Sequence, residues 1–206
     1  MNILYINDII ITFSKEENDK INSKCEEFVK AMSGKNQSAE YYEKHRNAQK
    51  EKIFNDIFLG KKAEFIAAQA LFQYGLPLLE PDLEIRKGKA KKWKCDLQYD
   101  NIDIHVKSCN KKTLDFCKDY SWTFQNANKD ICGGKDTLLK NNQNKQLVIL
   151  VYLENMMYNI GVVKAIVEFS KIEPLLKDPI KKLFIGLKKC IYYKDLEKLN
   201  ELQRST

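Results

Sequence analysis

Trp93-Lys94-Cys95-Asp96-Leu97-Gln98-Tyr99-Asp100-Asn101-Ile102-Asp103-Ile104-His105-Val106-Lys107-Ser108-Cys109 holds two alternating segments around an Asp-Asn pair. Alternation of this kind favours strands, and Asp100-Asn101 can adopt the left-handed angles of a two-residue turn, so the stretch reads as a β-hairpin. The turn fixes the register: Tyr99 opposite Ile102, Gln98 opposite Asp103, Leu97 opposite Ile104, Asp96 opposite His105 and Lys94 opposite Lys107. Side-chain period two then sends Trp93, Cys95, Leu97, Tyr99, Ile104 and Val106 to a core face. Lys94, Asp96, Gln98, Asp103, His105 and Lys107 share the other face.

Working upstream, Gly60 to about Tyr74 has the period of an amphipathic helix, ending at Gly75-Leu76-Pro77. A basic loop follows, with Arg86, Lys87, Lys89, Lys91 and Lys92. Residues 35 to 56 are strongly polar and read as helix, with a charge pattern suited to an exposed arm. Ser14 with Glu16 and Glu17 marks the N-cap of a helix running to about Met32. The isoleucine-rich stretch Ile3 to Phe13 reads as a strand, or as a hairpin turning at Asn7-Asp8.

Downstream, residues 110 to 146 are rich in lysine and asparagine and read as loop with a short helix. Gln146–Leu153 and Ile160–Val167 are two further strands, the first apolar enough to be buried on both faces. Residues 169 to 206 read as helix in two pieces, broken near Pro174 and Pro179. Neither a repeat nor a linker divides the chain. The expectation is one α/β domain over residues 1–206, a central mixed β-sheet flanked by helices. Its parts are an N-terminal strand and helical region (1–56), a core (57–170) and C-terminal helices (171–206).

Composition narrows the classes of partner. The chain has 206 residues, 44% hydrophobic and 31% charged, which suits a globular fold rather than disorder. Lysine and arginine number 35 against 28 acidic residues, net +7. That surplus favours a polyanion, because each neutralised phosphate releases counterions. Six cysteines without a CxxC pair, and two histidines, argue against a zinc knuckle and read as reduced thiols in a cytoplasmic protein. No basic leader opens the sequence and its apolar runs are short of a membrane span, so no membrane partner is expected. GxGxxG, GxxxxGK[ST], HExxH and GxSxG motifs are absent. Cys109 or Cys117 with His105 would suggest a thiol hydrolase, but no oxyanion loop accompanies them.

The polar hairpin face offers more. Asp96 and His105 are direct cross-strand neighbours, and Lys107 is diagonal to Asp96. A carboxylate, an imidazole and an ammonium on one patch can hold a hard cation and a water. The same alternation also suits a solvated sheet face. On the Gly60–Tyr74 helix, Glu64 shares a face with Ala67, Ala68 and Leu71. A glutamate there either reaches solvent at the rim or needs a cation or donor to offset its burial.

The succession of Asp96, a turn and His105-Val106-Lys107 resembles the metal-binding core of the PD-(D/E)XK nuclease superfamily, which includes type II restriction endonucleases and many phage and repair nucleases. That motif places an aspartate on one strand and an acidic-x-lysine triplet on the next; here His105 stands at the second acidic position. Pro81-Asp82 is a literal PD and a rival for the first position, and Asp103 is a rival acid on the face of His105. The resemblance implies a restriction-endonuclease-like fold and a catalytic set of Asp96, His105, Lys107 and Glu64. It implies Mg2+, with Mn2+ able to substitute, held by Asp96, Glu64, His105 and the Val106 carbonyl. Magnesium prefers oxygen, so the carboxylates and that carbonyl should carry more of the ion than the imidazole.

The implied activity is hydrolysis of phosphodiester bonds in duplex DNA by a type II restriction endonuclease, a homodimer if its site is palindromic. A structure-selective phage or repair nuclease of the junction-resolvase kind and a catalytically inactive DNA-binding protein are the other readings. Lys91 and Lys92 before the hairpin and Lys111 and Lys112 after it would follow the phosphate backbone. Gln125, in the alternating Ser121-Trp122-Thr123-Phe124-Gln125, would face phosphate or a base edge, with Trp122 and Phe124 in core.

Overall fold

The computed structural model describes residues 4–33, 48–84, 95–126, 136–139 and 145–204. Its strands are β1 (Leu4–Tyr5), β2 (Ile9–Thr12), β3 (Leu97–Tyr99), β4 (Ile102–Asn110), β5 (Ser121–Gln125), β6 (Lys145–Leu153), β7 (Ile160–Glu168) and β8 (Lys188–Tyr192). Its helices are α1 (Lys15–Ser33), α2 (Ala48–Gln73), α3 (Lys111–Cys117), the single turn α4 (Phe169–Ile172) and α5 (Tyr193–Arg204). The central sheet runs β1-β7-β6-β4-β3, with β2 also on β7, while β5 and β8 form a separate antiparallel pair. It is a mixed sheet: β4 lies parallel to β6, and β3–β4 and β6–β7 are antiparallel.

The hairpin has the register read from its turn: Tyr99 faces Ile102, Gln98 faces Asp103 and Leu97 faces Ile104. Asp100 takes the left-handed conformation, φ 49°, that such a turn demands. Strand β6 is central because apolar side chains cover both of its faces. Leu147, Ile149 and Val151 join Ile104, Val163 and Ile166 on the side of α1 and α2. Val148 and Leu150 join Ala165 and Val167 on the side of Trp122, Phe124, Ile191 and Leu196. Each fully buried side chain of this size contributes about 1.5–3 kcal/mol. Ala63, Ala67 and Ala70 let α2 lie close on the sheet, and at Gly161 a Cβ would stand 2.3 Å from Ile66 Cδ1. Trp122 anchors the second layer by donating its indole N–H to the Val151 carbonyl at 2.9 Å. Ser14 caps α1 reciprocally: its Oγ accepts from the Glu17 N–H at 3.2 Å, and its own N–H donates to the Glu17 carboxylate at 2.8 Å.

Several expectations are corrected. Ile3 to Phe13 is not a hairpin, because β1 and β2 both pair with β7, one after the other, as an interrupted edge. The second long helix begins at Ala48 rather than Gly60, and Phe54 packs against the core instead of belonging to an exposed arm. Residues 35–47 of that arm lie outside the described residues. The C-terminal region is not helix throughout. Only α4 and α5 are helical there, joined by 3-10 turns, and Lys188–Tyr192 is a strand on β5. The β-prone Cys190-Ile191-Tyr192 has a partner to pair with, which outweighs any helical reading of the lysines before it. No helix among the described residues is long and apolar enough to cross a membrane.

Candidate active site

Strand β3 accompanies β4 only as far as Ile104. There the chain bends away at Asp96, whose N–H donates to the Ile104 carbonyl at 3.0 Å. Its carboxylate Oδ2 then accepts the Val106 N–H at 2.8 Å. A carboxylate thus takes the place that the next ladder carbonyl from the β3 side would fill opposite β4. Such charge-assisted bonds to backbone N–H groups are strong and hold the acid in one orientation. On the polar side of the hairpin Gln98 is exposed and Asp96 and Lys107 are half-buried, but Asp103 and His105 are not solvated. Asp103 is 0% and His105 3% exposed, and on the same side Lys107 meets Phe124 of β5 and Asp136.

His105 has its Nε2 buried without a hydrogen-bond partner among the described residues. Burial lowers its pKa; Asp96 opposes that shift and the Lys107 charge assists it. The ring is therefore neutral at pH 7, with a buried polar atom unsatisfied at a cost of about 1–3 kcal/mol. Lys107, on the same side of β4, is ion-paired with Asp136 and lies 5.5 Å above the Phe124 ring. Asp136 is itself fixed: its N–H donates to the Gln125 carbonyl at 2.7 Å, and Oδ1 accepts from the Leu138 N–H at 3.3 Å. Sequence reading missed Asp136, which stands in a lysine- and asparagine-rich run without periodicity. The Asp-x-Leu start of a 3-10 turn was its only local signal.

Glu64 is 5% exposed beside the buried Ala67, Ala68 and Leu71, so it does not reach solvent at the rim. Its partner is Lys61, also missed, whose Nζ is 2.9 Å from both Oε1 and Oε2. Lys61 Nζ further donates to the Asp82 carbonyl at 3.0 Å. Burial pushes the Glu64 carboxyl up to about 8; the charges of Asp96 and Asp82 push the same way, and Lys61 opposes them. Asp82, a rival to Asp96 in the sequence, therefore belongs to the same acidic neighbourhood. Asp96 acts electrostatically on both Glu64 and His105, which links the helix side of the sheet to the Lys107 side.

The remaining expected residues lie further out. Lys111 and Lys112 open α3, whose N-cap Asn110 ends β4; by strand rise Asn110 is roughly 10 Å beyond Lys107. Lys111 pairs with Glu154 at 3.3 Å on the surface. Gln125 closes β5, and its carbonyl holds Asp136. Trp122 and Phe124 are both fully buried, as their alternation predicts. Lys91 and Lys92 lie outside the described residues.

The metal set expected from the sequence is not drawn together as a ligand cage. Among the described residues no group of three His, Cys, Asp or Glu side chains stands ready to hold a metal ion. What the structure does bring together is two acidic groups in electrostatic contact, Glu64 and Asp96. What fills the Glu64 side is the Lys61 ammonium. Comparison of the chain with protein-family models, curated proteins and solved structures finds no match.

The buried glutamate makes stability depend on pH. Its folded pKa of about 8 lies above the ordinary 4.5, so between those values the folded protein holds a proton that the unfolded chain releases. The stability contribution is full below pH 4.5 and is lost as pH rises through 8. Urea unfolding should show wild type losing on the order of a few kcal/mol more than Glu64→Gln between pH 5 and pH 8.5. Parallel profiles would mean that Glu64 ionises freely in the fold.

Proposed function

We propose that this chain is a metal-dependent endonuclease hydrolysing DNA phosphodiester bonds, of the type II restriction kind on duplex DNA. The observation that carries the reading is the Asp96 carboxylate, held on the Val106 N–H where β3 leaves β4, in electrostatic contact with both Glu64 and His105. Asp96, Glu64, the Val106 carbonyl and the neutral His105 would hold Mg2+, or Mn2+ in its place. Such an ion, when bound, polarises a phosphoryl oxygen and acidifies a water. Asp96 is oriented by its backbone donor, the Val106 N–H. Lys107, released from Asp136, balances phosphate charge and orients the attacking water. Gln125 together with Lys111 and Lys112 supplies contacts along the DNA, and a palindromic target would call for a homodimer.

A second reading, a DNA-binding protein without cleavage activity, is favoured by Lys107 being engaged with Asp136 and by the missing ligand cage among the described residues. Incubation of the purified protein with supercoiled plasmid and Mg2+ or Mn2+ separates the readings. Discrete fragments are expected for a restriction enzyme, nicking at cruciforms for a junction resolvase. Intact plasmid with both ions, beside a positive gel shift, sinks the enzyme in favour of the binding protein.

A further inference from the structure

Residues 177–189 form a hydrogen-bonded basic loop with an apolar tip. Its ends are tied: Lys177 and Cys190 exchange backbone bonds at 2.8 Å, and the Asn126 N–H donates to the Leu187 carbonyl at 2.8 Å. The tip is tied too. The Phe184 N–H donates to the Lys181 carbonyl at 2.9 Å, and the Ile185 and Leu187 N–H groups donate to the Lys182 and Phe184 carbonyls, both at 3.1 Å. Gly186, at φ 80°, makes the turn. On this frame Leu183 is 71%, Ile180 56% and Ile185 52% exposed, so bonded backbone holds three apolar side chains out in water.

Lysines surround that tip. The Lys181 and Lys188 ammoniums stand 5.2 and 4.7 Å from the centroid of one ring, Phe184. Lys177 and Lys189 are paired with Asp195 and Asp178, but among the described residues Lys181, Lys182 and Lys188 have no carboxylate partner. Like charges gathered without a counter-charge repel, and a polyanion relieves them. The root of the loop lies at the candidate site. Lys188 is opposite Gln125, whose carbonyl holds Asp136, the ion-pair partner of Lys107.

We propose that this loop grips duplex DNA beside the candidate site, with Lys181, Lys182 and Lys188 on backbone phosphates and Leu183 and Ile185 wedged at a base step. The inference rests on reading the Lys107 end of β5 as the place where DNA lies. Duplex DNA matches both halves of the loop: rows of phosphates for the lysines, and base steps that open to leucine or isoleucine when the helix bends. An anionic membrane also attracts lysines and an apolar tip, but it gives no reason for the loop to stand beside Gln125 and Lys107.

The experiment is binding of the full chain to a short duplex oligonucleotide over a range of salt, without divalent ions so that no strand is cut. Wild type is compared with a variant combining Lys181→Gln, Lys182→Gln and Lys188→Gln, and with Leu183→Ser, each checked by circular dichroism. The lysine variant should bind about tenfold or more weaker, with the slope of log affinity against log salt lower by about 2–3. Leu183→Ser should weaken binding about tenfold at an unchanged slope and reduce bending, read as energy transfer between dyes at the duplex ends. Lys15→Gln, Lys20→Gln and Lys30→Gln on α1 remove the same charge and should leave the slope in place; an equal fall there makes the effect one of net charge and overturns the loop. Wild-type affinity and slope in the lysine variant, while wild type binds and cuts DNA, overturn the loop and leave the nuclease reading standing. Absence of duplex binding by wild type overturns both. Sedimentation with phosphatidylserine vesicles that is lost in Leu183→Ser, at unchanged duplex affinity, assigns the loop to a lipid surface and overturns the proposal.

Discussion

Lys107→Met leaves duplex DNA uncut while still shifting it on a gel. The expected loss is on the order of a thousandfold or more in cleavage rate, about 4 kcal/mol of transition-state stabilisation. Methionine keeps an unbranched apolar side chain but removes the ammonium, which stands 5.5 Å from the Phe124 ring centroid and pairs with Asp136, so circular dichroism and melting check that the variant folds. Asp96→Asn is the matched change on the other strand. The amide oxygen can still accept the Val106 N–H, but the charge that faces Glu64 and His105 is gone. Cleavage should fall as steeply, with the melting temperature little changed. Wild-type rates in either variant would remove this hairpin from the chemistry, whatever the protein does to DNA.

Lys62→Ala should destabilise the fold by about 3–5 kcal/mol, the largest effect expected of a residue outside the site. The side chain is fully buried, and Nζ meets Asn18 Oδ1 at 2.8 Å, Asn22 Oδ1 at 2.9 Å, and the carbonyls of Met156 and Tyr158, both at 2.6 Å. One ammonium thereby joins α2 to α1 and to the connection between β6 and β7. Burial draws the group down to about 8, and interaction with Cys25 pulls the other way. Truncation strips these buried acceptors of their shared donor, each at about 1–3 kcal/mol before relaxation. Urea unfolding at pH 7 reads the difference. A change under about 1 kcal/mol would mean that water takes over the vacated position and that the contacts are dispensable.

The hairpin was legible because its information is local. Period-two alternation and one turn with a left-handed Asp100 are enough to set register, and register decides which residues are neighbours. Glu64 was legible for a related reason: helical period put it among alanines and Leu71, and the burial followed. Strand β8 was not legible. Its two lysines mask the pattern, and its stability comes from β5, more than sixty residues earlier in the chain.

Sequence by itself determined the mixed α/β class, the hairpin register from Leu97 to Ile104, the central strand β6 and the β4 face that carries His105 and Lys107. Tertiary structure alone decided that His105 on this face is buried, that Asp136 meets Lys107, that Asp82 approaches Glu64 and that Lys61 lies across the two. Each of the first group follows from repeats of two or 3.6 residues along one element. Each of the second depends on where separate elements and loops come to rest, and desolvation and Coulomb forces across such gaps leave no trace in local spacing.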